Sequence, residues 1–62
     1  MKTYENIINE TKYWYFFDIH YRVWTVFEVD ENNYQVGAAD HHANKKMLLS
    51  NYDFDFKNVI EN

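Results

Sequence analysis

The sequence contains no cysteine, no proline and only one glycine among its 62 residues. Without cysteine the chain forms no disulfides and lacks the thiolate ligands of most structural zinc sites. The scarcity of proline and glycine argues against a flexible or low-complexity segment. A chain of this length buries only about 60% of its unfolded surface on folding. We therefore expect a single small domain that spans residues 1–62.

Targeting and membrane signals are also missing. The amino terminus has no apolar run behind a basic start, so the sequence predicts no secretory signal. No apolar stretch approaches the roughly 20 residues that a membrane helix requires. We expect a complete, cytoplasmic protein without a membrane partner.

Basic residues are outnumbered, with six Lys and Arg against ten Asp and Glu and a net charge of −4. This balance disfavours a general DNA-binding or anionic-membrane surface. The acids form two groups, Glu28, Asp30 and Glu31 near a turn and Asp53 with Asp55 in the tail. Such groups either fit the basic groove of a nucleic-acid-handling enzyme or form an ordinary acidic surface.

Aromatic residues are abundant, at 21% of the chain. Residues 12–19 and 23–30 are aromatic and β-branched and predict two strands, each apolar on both sides. A turn at residues 30–33 leads to a weaker third strand at 34–38. The strictly alternating aromatic and charged residues of 52–57 are typical of a further strand.

Two segments have helical patterns. In residues 3–10, apolar side chains recur at i, i+3 and i+4 after Thr3, which could cap a helix. In residues 40–49, Asp40 at the start is a favourable N-cap. The sequence therefore predicts an α+β domain. Its antiparallel sheet has three to four strands, and one or two short helices pack on it.

Candidate chemistry is sparse. His41 and His42 follow Asp40, but neighbouring histidines point to different sides of a helix, and His20 lies elsewhere in the chain. Ser50 is the only serine, and a single glycine cannot build a phosphate-binding loop. We expect no catalytic residue, no metal and no cofactor, and hence no enzyme.

The aromatic mass instead predicts association. Two short helices cannot cover both faces of such a sheet, and small scaffolds without disulfides or metals are commonly stabilised by oligomerisation. We expect a homodimer. Trp14 and Trp24, with Tyr34 in reserve, are the expected partner-binding anchors, because interface energy concentrates in buried Trp and Tyr.

The favoured function is that of a small acidic module that binds a protein without catalysis. Size and composition resemble phage and mobile-element proteins that inhibit a host enzyme or defence complex stoichiometrically. Its expected contacts are the anchors Trp14, Trp24 and Tyr34 and the acids Glu28, Asp30, Glu31, Asp53 and Asp55. The alternative is a small nucleic-acid-binding regulator that stacks exposed aromatics on bases and contacts phosphate through Lys45 and Lys46.

Overall fold

Residues 1–62 form one antiparallel sheet of five strands with a single short helix, as described by a computed structural model. The elements are β1 (Thr3–Ile8), β2 (Thr11–Asp18), β3 (Val23–Val29), β4 (Gln35–His42), α1 (Lys45–Asn51) and β5 (Asn58–Glu61). The strand order is β4-β3-β2-β1-β5, so β4 and β5 are the two edges. The prediction of a small antiparallel sheet with a short helix is confirmed. The sheet has five strands where three to four were expected, and there is one helix where one or two were expected. The single helix is too short and too polar to cross a lipid bilayer.

The first predicted helix, at residues 3–10, is wrong, because this segment is strand β1 and its turn. All six β1 residues pair with β2. Asn9 and Glu10 have φ values of 50° and 68°, and such paired positive values are typical of a two-residue hairpin turn. An eight-residue helix is marginal without packing. Pairing with the aromatic β2 strand therefore outweighs the weak helical pattern.

The second predicted helix begins later and is shorter than expected. Residues 40–42 extend β4 and pair with residues 24–26 of β3, so Asp40 is not an N-cap. Asn44 is the cap, since its side-chain oxygen accepts a hydrogen bond of 2.9 Å from the Met47 backbone N–H. The pairing between β3 and β4 is irregular opposite Phe27, and Gly37 lies there with φ of 76°. Only glycine adopts this conformation without strain, so the single glycine permits the long β4 strand.

The alternating tail, residues 52–57, is not a strand. It crosses one face of the sheet without a ladder partner, and β5 begins only at Asn58. Tyr52, Phe54 and Phe56 nevertheless point inward, whereas Asp53 and Asp55 are exposed. The alternation thus predicted which side chains are buried, but it contains no information about whether a neighbouring strand is available for pairing. We refer to residues 52–57 as the crossover.

The core lies between the sheet, α1 and the crossover. Its buried residues are Tyr15, Val26, Leu48 and Phe54. Four rings stack in a column from Tyr52 through Phe54 and Tyr15 to Tyr4, with successive centroids 4.8, 3.9 and 5.4 Å apart. The crossover is therefore attached to the sheet mainly by aromatic packing.

The buried Tyr15 hydroxyl adds hydrogen bonds to this packing. It donates to Asn6 Oδ1 and accepts from the Phe56 backbone N–H at 3.0 Å. Asn6 Oδ1 also accepts from the Asp55 backbone N–H at 3.3 Å. Desolvation by burial raises the pKa of Tyr15 to about 12, so the phenol remains protonated and able to donate.

Candidate protein-binding face

The pairing register divides the sheet into two unlike faces. Residues directly opposite on neighbouring antiparallel strands share a face. The face that bears Tyr15, Val26 and Trp24 packs beneath α1 and the crossover, and we call it the covered face. The opposite surface, here the open face, carries Thr3, Glu5, Trp14, Phe16, Thr25 and Phe27. Neither α1 nor the crossover packs on the open face.

An aromatic concavity lies on the open face, beside β5. It has a volume of about 450 Å³, and its walls include Trp14, Phe16, Phe27 and Ile60. The Trp14 and Phe27 rings meet edge to face, with centroids 6.3 Å apart. The volume falls within the range of about 300–1,000 Å³ that ligand sites occupy. The open face thus presents a shaped surface of aromatic and polar side chains rather than scattered exposed residues.

Glu5 fixes Trp14 within this concavity. The indole Nε1 donates to Glu5 Oε2 at 2.8 Å, and Asn58 Nδ2 donates to Glu5 Oε1 at 3.2 Å. Because the single polar atom of Trp14 is satisfied within the chain, its ring is free to make apolar contacts. A side chain held in place before binding loses less conformational entropy when a partner arrives.

The open face continues toward the loop between β2 and β3. A second concavity of about 430 Å³ is lined there by Tyr21, Val23 and His41. The Thr25 Oγ1 and His41 Nδ1 atoms lie 3.1 Å apart, within hydrogen-bonding distance. The open face thus carries two concavities, one beside β5 and one beside this loop.

The register separates the two tryptophans, which the sequence analysis grouped together as expected anchors. Trp14 pairs with Phe27, whereas Trp24 pairs with Phe17, so the two rings lie on opposite sides of the sheet. Trp24 packs against Phe56 with centroids 5.3 Å apart and borders the core cluster. Trp14 alone lies on the open face, and the partner-binding role of Trp24 stays a prediction.

The acids near the second turn do come together. Glu28, Asp30 and Glu31 surround a concavity of about 440 Å³ that Glu10 and Lys12 also line. Asp30 has a structural role as well, because its Oδ1 accepts hydrogen bonds from the backbone N–H groups of residues 32 and 34, each at 2.9 Å. Tyr34, 71% exposed, follows this turn and lies outside the open face.

The remaining predicted residues are distributed differently. Asp53 and Asp55 are exposed on the crossover, and Asp55 Oδ1 accepts from the Lys57 backbone N–H at 3.1 Å. The Lys45 ammonium lies 4.2 Å from the centre of the Phe56 ring, whereas Lys46 is exposed. Neither Asp53 nor Asp55 therefore lies in a strand. Of the two lysines, Lys45 is already in a cation–π contact.

Ligands for a metal are not clustered, since no group of three or more His, Cys, Asp or Glu is placed to hold an ion. His42 Nε2 is buried without a hydrogen-bond partner, and its ring meets Tyr52 edge to face at 5.7 Å. Sequence reasoning did not single out Glu5, Phe16 and Phe27, which line the concavity of the open face. The alternation of side chains along β2 and β3 was visible in the sequence, but both sides of these strands are apolar there. Only the position of the crossover shows which side of the sheet is left uncovered.

Comparison of this chain with known protein families, with curated proteins and with solved structures finds no match.

Proposed function

We propose that this protein is a non-enzymatic module that binds another protein through the open face. Stoichiometric inhibition of a host enzyme or defence complex is the form of action that we propose for it. The observation that carries the proposal is the uncovered concavity whose walls include Trp14, Phe16 and Phe27. Large aromatic anchors in a preformed site are the residues that dominate protein–protein binding energy.

The charge around the concavity indicates the partner chemistry. Glu5 and Glu61 are among its lining residues. The nearby Lys12 ammonium donates to Asn33 Oδ1 at 2.9 Å. A partner that inserts an apolar side chain next to a Lys or Arg would pack against the aromatic walls and form ion pairs with the carboxylates. The acids around Glu28 and Glu31 favour the same basic partner by accelerating its encounter.

The nucleic-acid alternative has weaker support. The concavity bears carboxylates, which repel phosphate, and Lys45 is in contact with Phe56. Stacking on the open face would therefore bring a nucleic-acid backbone toward negative charge.

The test compares capture of a binding protein from a lysate of the source cells by three immobilised forms. We expect the native chain to retain a protein at a fixed stoichiometry, and Trp14→Ala to lose it because the central anchor is gone. Tyr34→Ala, an exposed aromatic outside the open face, serves as the matched control and should retain it. Circular dichroism checks that all three are folded.

Three results would contradict the proposal. One is undiminished capture by Trp14→Ala, and another is loss of capture by Tyr34→Ala alone, which would locate binding at the second turn. The third is capture that nuclease treatment abolishes, with a mobility shift of duplex or single-stranded nucleic acid at low salt. That result would favour the regulator.

A further inference from the structure

The aromatic concavity beside β5 is built from two rows of side chains that cross the open face. Residues opposite one another on paired antiparallel strands share a face, so the register defines these rows. All members of both rows line the concavity. One row consists of Glu5, Trp14 and Phe27, and the next consists of Glu61, Thr3 and Phe16. Each row therefore begins with a carboxylate and ends with an aromatic ring.

The ionisable side chains of the concavity are all acidic. Glu5 and Glu61 line it, and no Lys, Arg or His does. Lys12 lies in the following row, on the other side of Trp14 from Glu61, and its ammonium donates to Asn33 Oδ1 at 2.9 Å. Charge complementarity therefore selects a cation as the ligand.

The wall beside the rings offers charge more than vacant hydrogen-bond acceptors. Each oxygen of the Glu5 carboxylate already accepts a bond within the chain, one from Trp14 Nε1 at 2.8 Å and the other from Asn58 Nδ2 at 3.2 Å. The planes of the Trp14 and Phe27 rings are inclined by 65°, so the two rings form a corner. A cation that carries methyl groups in place of N–H bonds suits this surface, since the methyl groups pack on the rings and the charge is attracted by their faces.

We propose that the concavity binds a quaternary ammonium group, which the partner protein carries as a trimethylated lysine side chain. A primary ammonium is strongly hydrated and loses its hydrogen bonds to water on entering such a site, whereas a trimethylammonium group has none to lose. The identification of the carrier as a protein rests on the proposed function. The chemistry of the ligand rests on the rings and carboxylates alone.

Small probes test the chemistry of the site. They are choline, its uncharged isostere with carbon in place of nitrogen, and ethanolamine, the corresponding primary ammonium. The indole N–H resonance of Trp14 reports binding in an NMR titration of the native chain, and that of Trp24 on the covered face is the reference. We expect choline to bind at least about threefold more tightly than either of the other compounds.

Equal affinity for the uncharged isostere would reveal apolar binding alone, and equal affinity for ethanolamine would remove the preference for methyl groups. Either result overturns the proposal.

Two short neutral peptides, which differ only in a central lysine that is unmodified or trimethylated, test the carrier. We expect the trimethylated peptide to bind more tightly by about threefold or more. Equal binding of the two peptides would overturn the assignment. So would binding of phosphatidylcholine vesicles by a native chain that binds neither peptide, because the carrier would then be a lipid.

Two variants locate the site, with circular dichroism to check folding. Phe27→Leu removes one aromatic wall but keeps apolar volume, so it should weaken binding of choline and not of the uncharged isostere. Glu61→Gln should weaken choline binding by about twofold or more. Asp53→Asn, at an exposed acid of the crossover, is the control of equal charge change and should have no effect.

Undiminished choline binding by both Phe27→Leu and Glu61→Gln would overturn the location. Failure of every probe leaves capture of a protein by the native chain intact. Failed capture with successful choline binding would instead remove the proposed function and keep the ammonium site.

Discussion

The rings of Tyr15 and Phe54 are stacked in parallel, with centroids 3.9 Å apart and planes inclined by 4°. One ring belongs to the central strand β2 and the other to the crossover. This contact is one of several that hold the crossover on the covered face, beside the Trp24–Phe56 packing and the hydrogen bond from the Phe56 N–H to the Tyr15 hydroxyl. The open face is left uncovered because the aromatic side chains of the crossover stack on the other one.

Replacing Tyr15 by Phe tests the hydrogen bonds of this junction separately from its stacking. Tyr15→Phe keeps the ring but leaves the Phe56 N–H and Asn6 Oδ1 without the hydroxyl. We expect the free energy of unfolding to fall by about 1–3 kcal/mol. Urea denaturation measures it, with the exposed Tyr34→Phe as a control that should change little.

Alkaline pH should unfold the protein by ionising the buried Tyr15 and the half-buried Tyr52. Desolvation by burial is the main cause that raises the pKa of Tyr15 and of Tyr52 to about 12, and the Tyr52 hydroxyl also donates to Asp40 Oδ2 at 2.7 Å. An unfolded tyrosine has a pKa of about 10. Because the folded values are higher, stability is fully present below pH 10 and is lost as pH rises toward 12.

Tyrosinate absorbance and circular dichroism should therefore change together in that interval. If the phenols ionised near pH 10 while the fold persisted, the withdrawal of the Tyr15 and Tyr52 hydroxyl groups from water would be refuted. The Tyr15→Phe variant should lose less stability between neutral pH and pH 12 than the native chain, since one of the two shifted groups is absent.

The two tryptophans should respond oppositely to truncation. Trp24 packs against Phe17 and Phe56 on the covered face, so Trp24→Ala is expected to destabilise the fold by about 3 kcal/mol. Trp14→Ala, on the open face, should lower the free energy of unfolding by less than Trp24→Ala does. It should weaken association through the open face by more. Thermal melting and sedimentation separate these effects, and equal destabilisation by both variants would contradict the assignment of faces.

The second turn should depend on Asp30 rather than on its acidic neighbour. Asp30→Ala removes the acceptor of two backbone N–H groups and should cost about 1–2 kcal/mol. Asp30→Asn should preserve most of the stability, because its amide oxygen can accept the same bonds. Exposed Glu31→Ala is the control, and a larger loss for Glu31 than for Asp30 would refute this role.

Strands β2 and β3 were predictable because β-branched and aromatic residues have strong local preferences there. The helical periodicity of residues 3–10 was misleading, since Tyr4 and Asn6 are held by β2, a long-range partner that no local pattern shows. For the same reason the sequence could not show which of Trp14 and Trp24 lies on the open face. Strand parity depends on the pairing register, which is set jointly by both strands and their connecting loop.

The pairing of β5 with β1 has a kinetic consequence. Thr3 lies opposite Glu61, so this one contact joins opposite ends of the chain, whereas β1 to β4 follow one another through short turns. Loop-closure entropy rises with the length of chain enclosed, and distant pairings slow folding. We therefore expect the four-stranded meander to assemble first. Docking of the crossover and β5 is then the expected late step, which excludes water from Tyr15 and completes the rim at Ile60 and Glu61.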